Sequence, residues 1–308
     1  MKAIGLVILS AMATTAVFGQ EAPTFKAGFD VVALNVVVVN KQQQFVGGLT
    51  AGNFAVFEDG IQQDLSFFAA NEVPLDLAIL LDTSASMVDR MNTAKQAAVN
   101  FVSALRPIDR LLVIDIKDSA NIIAPLSHNL SAARQSILKT TAGGGTALYN
   151  GLYLTLKEMM RDRRGATDVR RQALVLLSDG DDTSSLVAFD DVMELAKESG
   201  ISIYTIMLSS GPASAYLDRR RHPSISKSEY GMKSLAYETG GRSFAALEIN
   251  DLAGVYKTIS QELASQYALG YIPINRRRDG AYRRVSVRIL DHVDAQPRTR
   301  AGYLAPRS

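Results

Sequence analysis

Apolar residues run almost unbroken through positions 77–81, 111–116, 173–177 and 201–208. Runs of that length are the pattern of strands covered on both faces of a sheet. Between them the apolar positions change period. Met91, Ala94, Ala98, Phe101, Val102 and Leu105 recur at helical spacing and predict an amphipathic helix over 91–105. Further helices are expected at 132–139, 148–160, 192–199 (stopped by Gly200), 232–239 and 252–263. Shorter strands are expected at 121–126, on a sheet edge, and at 243–246. Strands alternating with helices across 74–265 predict an α/β fold with a doubly wound, mostly parallel sheet.

The flanks have another texture. Residues 28–70 show no helical period. The valine-rich stretch 31–40, a short strand at 45–49, an alternating strand from 54 and another at 63–68 all read as β, with a hairpin turn at Asp59-Gly60. After Gln266 the β texture returns in 267–273, 282–290 and 298–304. In the second of these Val285, Val287 and Ile289 share one face, and Arg284, Ser286 and Arg288 the other. The segments 28–70 and 266–305 are expected to pair in one small β-sandwich into which the α/β domain is inserted; the alternative is two unrelated appendages. Residues 1–19 read as a secretory signal peptide: Lys2, then an apolar stretch, then Val17-Phe18-Gly19 as a cleavage site. The competing reading is an uncleaved anchor. No later stretch is long and apolar enough to span a bilayer. The mature chain is thus expected to be exported, periplasmic or secreted.

Candidate chemistry gathers where strands end. Asp82 closes the first buried run, and Ser84 and Ser86 follow at alternate positions. In open α/β sheets ligands bind beyond the carboxyl ends of the strands. One charged oxygen and two neutral ones suit a hard cation such as Mg²⁺. Alone, the triplet reads more readily as a helix cap with turn residues. Two other stretches alter that balance. Gly143, Gly144 and Gly145 deliver Thr146 to the start of a helix, and Asp179 closes a second buried strand.

These five positions resemble the metal-ion-dependent adhesion site of the von Willebrand factor A domain. That site is Asp-x-Ser-x-Ser, then a Thr in a glycine-rich loop, then an Asp after a strand. Ala85 stands where the family usually has Gly. The resemblance implies that Ser84, Ser86 and Thr146 contact the metal directly, and that Asp82 and Asp179 act largely through water. It implies Mg²⁺, or Mn²⁺ or Ca²⁺, as cofactor. Three neutral hydroxyls leave such an ion under-neutralised, so a partner protein's Asp or Glu can complete its shell. The flanking segments around 45–50, 54–60 and 266–273 look like those of an exported bacterial subgroup related to this family.

Composition excludes more than it adds. Hydrophobic residues make up 47% and charged residues 21% of the 308 residues, as in an ordinary globular protein. A net charge of +2 gives no electrostatic case for nucleic acid, and the clusters 219–221 and 276–278 read as solvated loops. Without cysteine there is no disulfide, thiolate site or lipidated cysteine. The leading expectation is a cation-dependent protein-binding module with no catalytic residues. Its alternatives are a metal-dependent hydrolase and a metal-free scaffold. Against a hydrolase, His128, His222 and His292 lie away from the three site loops, and no Gly-x-Ser-x-Gly elbow occurs. The glycine run lacks the Lys of a phosphate-binding loop. Asp181 and Asp182 read as an acidic loop rim; Asp115 and Asp118 follow another strand end. The long polar connection 209–228 is a candidate for partner choice. Tyr256 and Ile259 on the last helix are candidates for a conformational switch, by analogy alone.

Overall fold

The computed structural model describes residues 31–70, 73–163, 169–179, 181–208, 227–246 and 248–307. The expected signal peptide and the connection 209–226 lie outside the described residues.

The central sheet has six strands. They are β5 (Leu75–Asp82), β6 (Arg110–Ile116), β7 (Ala120–Ser127), β8 (Arg171–Ser178), β9 (Ser202–Leu208) and β10 (Ser243–Ala246), in the spatial order β10-β9-β8-β5-β6-β7. All pair in parallel except the edge strand β7, which runs antiparallel to β6. Every residue of β5 and β8 is buried, as the unbroken apolar runs require. Alternation sorts their side chains between two cores. Leu77, Ile79 and Leu81 pack with α1 (Met91–Val102), α2 (Leu130–Lys139) and α6 (Leu252–Ala264). Ala78 and Leu80 pack with α3 (Leu148–Arg163), α4 (Phe189–Ser199) and α5 (Lys227–Glu238).

This order creates one topological switch point. From β5 the chain goes outward to β6 and β7, then returns to β8 on the other side of β5. Loops leaving β5 and β8 diverge above the sheet, and the crevice between them is where ligands bind in such folds. Asp82 ends β5, and Asp179 directly follows β8.

The flanks form a sandwich, and each sheet draws on both of them. One holds β13 (Gln296–Arg298), β1 (Val32–Val39), β11 (Tyr267–Tyr271) and β4 (Leu65–Ala70); the other holds β14 (Gly302–Leu304), β12 (Tyr282–Ile289), β2 (Phe54–Glu58) and β3 (Ile61–Gln63). Period-two alternation builds the shared core: Leu34, Val36, Phe54, Val56, Leu269, Val285 and Tyr303 are all buried in it. Asp59 (φ 47°) and Gly60 (φ 86°) both take positive φ in the β2–β3 hairpin, as a two-residue turn demands.

The sandwich differs from expectation in three places. Residues 45–49 make a single bridge, Phe45 to Val39, instead of a strand. The stretch 63–68 is not one strand: the chain leaves one sheet at Gln63 and enters the other at Leu65. Residues 298–304 divide likewise, Arg298 ending β13 and Gly302 opening β14. In each divided stretch a short polar break lets the chain cross between sheets.

The sandwich joins β5 at its amino end, and β11 begins just after α6. It therefore lies away from the carboxyl-end loops of the central sheet. Gly241 marks a tight approach at the amino end of β10. A Cβ there would overlap the Ile203 carbonyl. Gly241→Ala is expected to cost about 1–3 kcal/mol, read by urea denaturation.

Candidate functional site

Asp82 is fully buried, and its two oxygens have separate tasks. Oδ1 accepts the Ser84 backbone N–H at 2.9 Å, and Oδ2 accepts the Ser178 hydroxyl at 2.6 Å. The first bond curls the loop back over the strand end; the second ties β5 to β8. Burial pushes the Asp82 carboxyl above its ordinary pKa. The bonds from Ser178 and Ser84 oppose that shift, and the nearby Asp179 charge adds to it.

The curled loop continues as a short 3₁₀ turn, Ala85–Met87. It brings hydroxyls into line. Ser84 Oγ lies 2.9 Å from Ser86 Oγ, and Ser86 Oγ donates to Asp179 Oδ1 at 2.7 Å. Backbone bonds then clamp the glycine loop onto this turn: Ala85 N–H to Gly144 O at 3.0 Å, and Gly143 N–H to Thr83 O at 2.9 Å. Gly144 has φ +79°, which favours glycine, and a Cβ on it would displace the Asp118 carboxylate from its place against the loop. Asp118 itself accepts the Gly145 N–H at 2.6 Å.

Thr146 follows, 5% exposed. Its N–H donates to Thr183 Oγ1 at 2.9 Å, and its carbonyl accepts the N–H of Thr183 at 2.9 Å and of Ser184 at 3.2 Å. These bonds join the glycine loop to the loop after β8. The structure thus brings Asp82, Ser84, Ser86 and Asp179 into one hydrogen-bonded chain, and ties the Thr146 backbone to the loop after β8.

The donor set fits a hard divalent cation. Ligands adjacent in an octahedron of bonds about 2.1 Å long are about 3 Å apart. The successive oxygens of Ser84, Ser86 and Asp179 stand at 2.9 and 2.7 Å. Among the described residues no group of three or more His, Cys, Asp or Glu is placed to hold a metal. A cation here would rely on hydroxyls backed by two carboxylates.

Other candidates fall elsewhere. Asp182 ties its loop to the first turn of α3, accepting the Tyr149 N–H at 3.2 Å and, within the loop, the Ser185 hydroxyl at 2.5 Å. Asp115 lies 3.8 Å from Lys117. His128 Nδ1 sits 3.2 Å from the Asp109 carbonyl, beside the amino end of β6. His292 belongs to the sandwich, and His222 lies outside the described residues. Tyr256 is buried with its ring stacked on Phe101, and Ile259 is buried in the same core.

Three residues at the site were not singled out from sequence. Ser178 looks like the last residue of an apolar strand. Thr183 looks like an ordinary turn residue. Arg90 donates from Nη1 to Asp179 Oδ2 at 2.8 Å. Its signal was present: it stands four residues after Ser86, one helical turn along the chain.

Comparison with known proteins points the same way as the fold. The family model for the von Willebrand factor type A domain matches residues 76–245. A UPF0353 protein of Mycobacterium avium is 25% identical over 219 residues, covering 66% of this chain and 65% of its own length. One from Mycobacterium bovis BCG is 25% identical over 217 residues, covering 66% and 64%. The chain thus spans about 65% of the length of the curated relatives it matches. Among solved structures, a von Willebrand factor type A protein of Catenulispora acidiphila superposes with TM-score 0.51 at 12% identity, over 91% of this chain and 75% of the other. Proximal thread matrix protein 1 of the mussel byssus, with a zinc-occupied adhesion motif, gives TM-score 0.50 at 15% identity, over 67% of this chain and 49% of its own. These two establish likeness of fold.

Proposed function

The chain belongs to the von Willebrand factor type A domain family, and from that premise we propose that it captures a carboxylate of a partner protein on a divalent cation. Domains of this family are generally adhesion or interaction modules, many of them metal-dependent, and not enzymes. The cation would be Mg²⁺, or Mn²⁺ or Ca²⁺, held by Ser84, Ser86 and Thr146 with Asp82 and Asp179 behind them. One observation carries this reading. The Ser84 and Ser86 hydroxyls stand 2.9 Å apart, the spacing of adjacent ligands, and Ser86 reaches the Asp179 carboxylate of a second strand-end loop at 2.7 Å, at the switch point of the sheet. Neutral hydroxyls position such an ion without quenching its charge, which leaves it free to attract an external Asp or Glu.

The proposed setting is outside the cytoplasm, in the periplasm or secreted. The lysine-led apolar start of the sequence supports it. No helix among the described residues is long and apolar enough to cross a membrane.

Binding partners retained from envelope extracts by the immobilised chain are expected to elute with chelator and return with Mg²⁺. Thr146→Ala is expected to lose that cation-dependent fraction by about 10–100-fold while circular dichroism stays unchanged. Equal retention by Thr146→Ala and wild type, with or without chelator, would move the partner surface away from this site. Turnover of phosphoester or peptide substrates that depends on Asp82 would instead favour a hydrolase.

A further inference from the structure

Arg90 is held where it is by local geometry. It follows the 3₁₀ turn that carries Ser86, and its backbone N–H donates to Met87 O at 2.9 Å. One turn of chain separates it from Ser86, and both side chains reach the same carboxylate. Ser86 takes Asp179 Oδ1 at 2.7 Å, and Arg90 takes Oδ2 at 2.8 Å. The Asp179 side chain is only 1% exposed, whereas that of Arg90 is 27% exposed. An anion buried so deeply is costly unless a cation meets it. Arg90 meets it without any metal.

The guanidinium changes the charge count of the cradle. Along the hydrogen-bonded chain from Asp82 to Asp179 the two carboxylates bring two negative charges and Arg90 one positive, which leaves that chain one negative. Asp118 is outside it, on the far side of the glycine loop's N–H groups. A divalent ion turns the hydrogen-bonded chain one positive, and a single external carboxylate neutralises it. Without Arg90 the ion alone would achieve neutrality, and an incoming carboxylate would leave excess negative charge.

We propose that Arg90 is a resident counter-cation that couples ion binding to carboxylate capture. It holds Asp179 in the ion-free protein, weakens the ion when the ion is alone, and pairs with the partner's carboxylate once the ion is seated. This rests on the cation site proposed above. Nη1 is committed to Asp179, but a guanidinium has five N–H donors in a fork that matches a carboxylate. Coupling of this kind is reciprocal: whatever the carboxylate adds to ion affinity, the ion adds to carboxylate affinity. The partner chemistry follows. A site set in this way selects an acidic side chain over a neutral oxygen ligand, because only an anion completes the balance.

The test is calorimetric titration of Mn²⁺ into wild type, Arg90→Met and Arg90→Gln, with chloride or with acetate replacing it at constant ionic strength. In chloride, both variants are expected to bind Mn²⁺ on the order of tenfold more tightly than wild type. Acetate is expected to tighten wild type several-fold and the variants much less. Arg90→Gln retains a donor for Asp179 without the charge, so it decides the outcome if Arg90→Met proves unfolded by circular dichroism. Equal affinities and equal acetate effects in wild type and variants would overturn the role of Arg90 and leave the cation site standing. No Mn²⁺ binding by any form, with or without acetate, would overturn the cation site and the role of Arg90 together.

Discussion

Asp82→Ala is expected to weaken divalent-ion binding by about 100-fold, the upper end for residues that orient metal ligands. Two losses act together. The carboxylate that would back the ion disappears, and so does the acceptor that curls the Ser84 N–H over the strand end at 2.9 Å. Ser84 and Ser86 then lose the loop shape that holds their hydroxyls 2.9 Å apart. The fold itself is expected to survive. Asp82 is wholly buried and its carboxyl is pushed up chiefly by burial, so the charged group is an unfavourable occupant of that position when no ion is present. Asp82→Asn separates the two losses, since its amide oxygen can still accept the Ser84 N–H. It is expected to bind the ion weakly, yet better than Asp82→Ala. The raised pKa adds a pH signature. Protons compete with the ion for the carboxylate, so wild-type affinity is expected to fall as pH is lowered, starting above the pH at which an ordinary aspartate is protonated. Calorimetry with Mg²⁺ at descending pH, beside both variants, reads these effects. Undiminished binding in Asp82→Ala would place any ion away from this loop.

The positions of the candidate site were legible in sequence because they lie at strand ends that apolar runs make conspicuous. Asp82, Ser84 and Ser86 occupy one loop, and the glycine run announces Thr146. The supporting contacts were not legible, because they join residues far apart in the chain. Ser178 meets Asp82 across 96 positions, and Arg90 meets Asp179 across 89. Nothing in the local pattern of Ser178 or Asp82 records their meeting, and for Arg90 the one local trace is its place a helical turn after Ser86. The sheets show the same limit. Unbroken apolar runs identify β5 and β8 because both faces of each are covered. In the sandwich, period-two alternation marks a strand but not its neighbour. The breaks after Gln63 and after Arg298 therefore looked like interior positions of single strands until the two sheets could be seen to claim opposite ends.

Glu58→Ala is expected to cost about 3–6 kcal/mol, since each of two hydrogen bonds to a charged acceptor contributes about 1.5–3 kcal/mol and their loss strands buried donors. Glu58 is 2% exposed, inside the sandwich. Its Oε2 accepts the Tyr271 hydroxyl at 2.9 Å and the Tyr303 hydroxyl at 2.9 Å. Tyr271 belongs to the sheet opposite Glu58, and Tyr303 to its own, so one carboxylate pins both sheets. Both phenols are pushed far above the ordinary tyrosine pKa, first by burial and then by the Glu58 carboxylate. They therefore remain donors at any ordinary pH, and alanine would leave two buried hydroxyls without an acceptor. Glu58→Gln keeps a carbonyl oxygen there and is expected to lose less than half as much. Tyr303→Phe removes a single donor and is expected to cost about 1.5–3 kcal/mol. A double-mutant cycle of Glu58→Ala with Tyr303→Phe isolates their shared bond. Because the sandwich joins the central sheet at the amino ends of its strands, Mg²⁺ affinity is expected to be unchanged in every one of these variants that still folds. A fall in affinity that tracked the loss of stability would instead show that the sandwich supports the loops at the opposite end of the sheet.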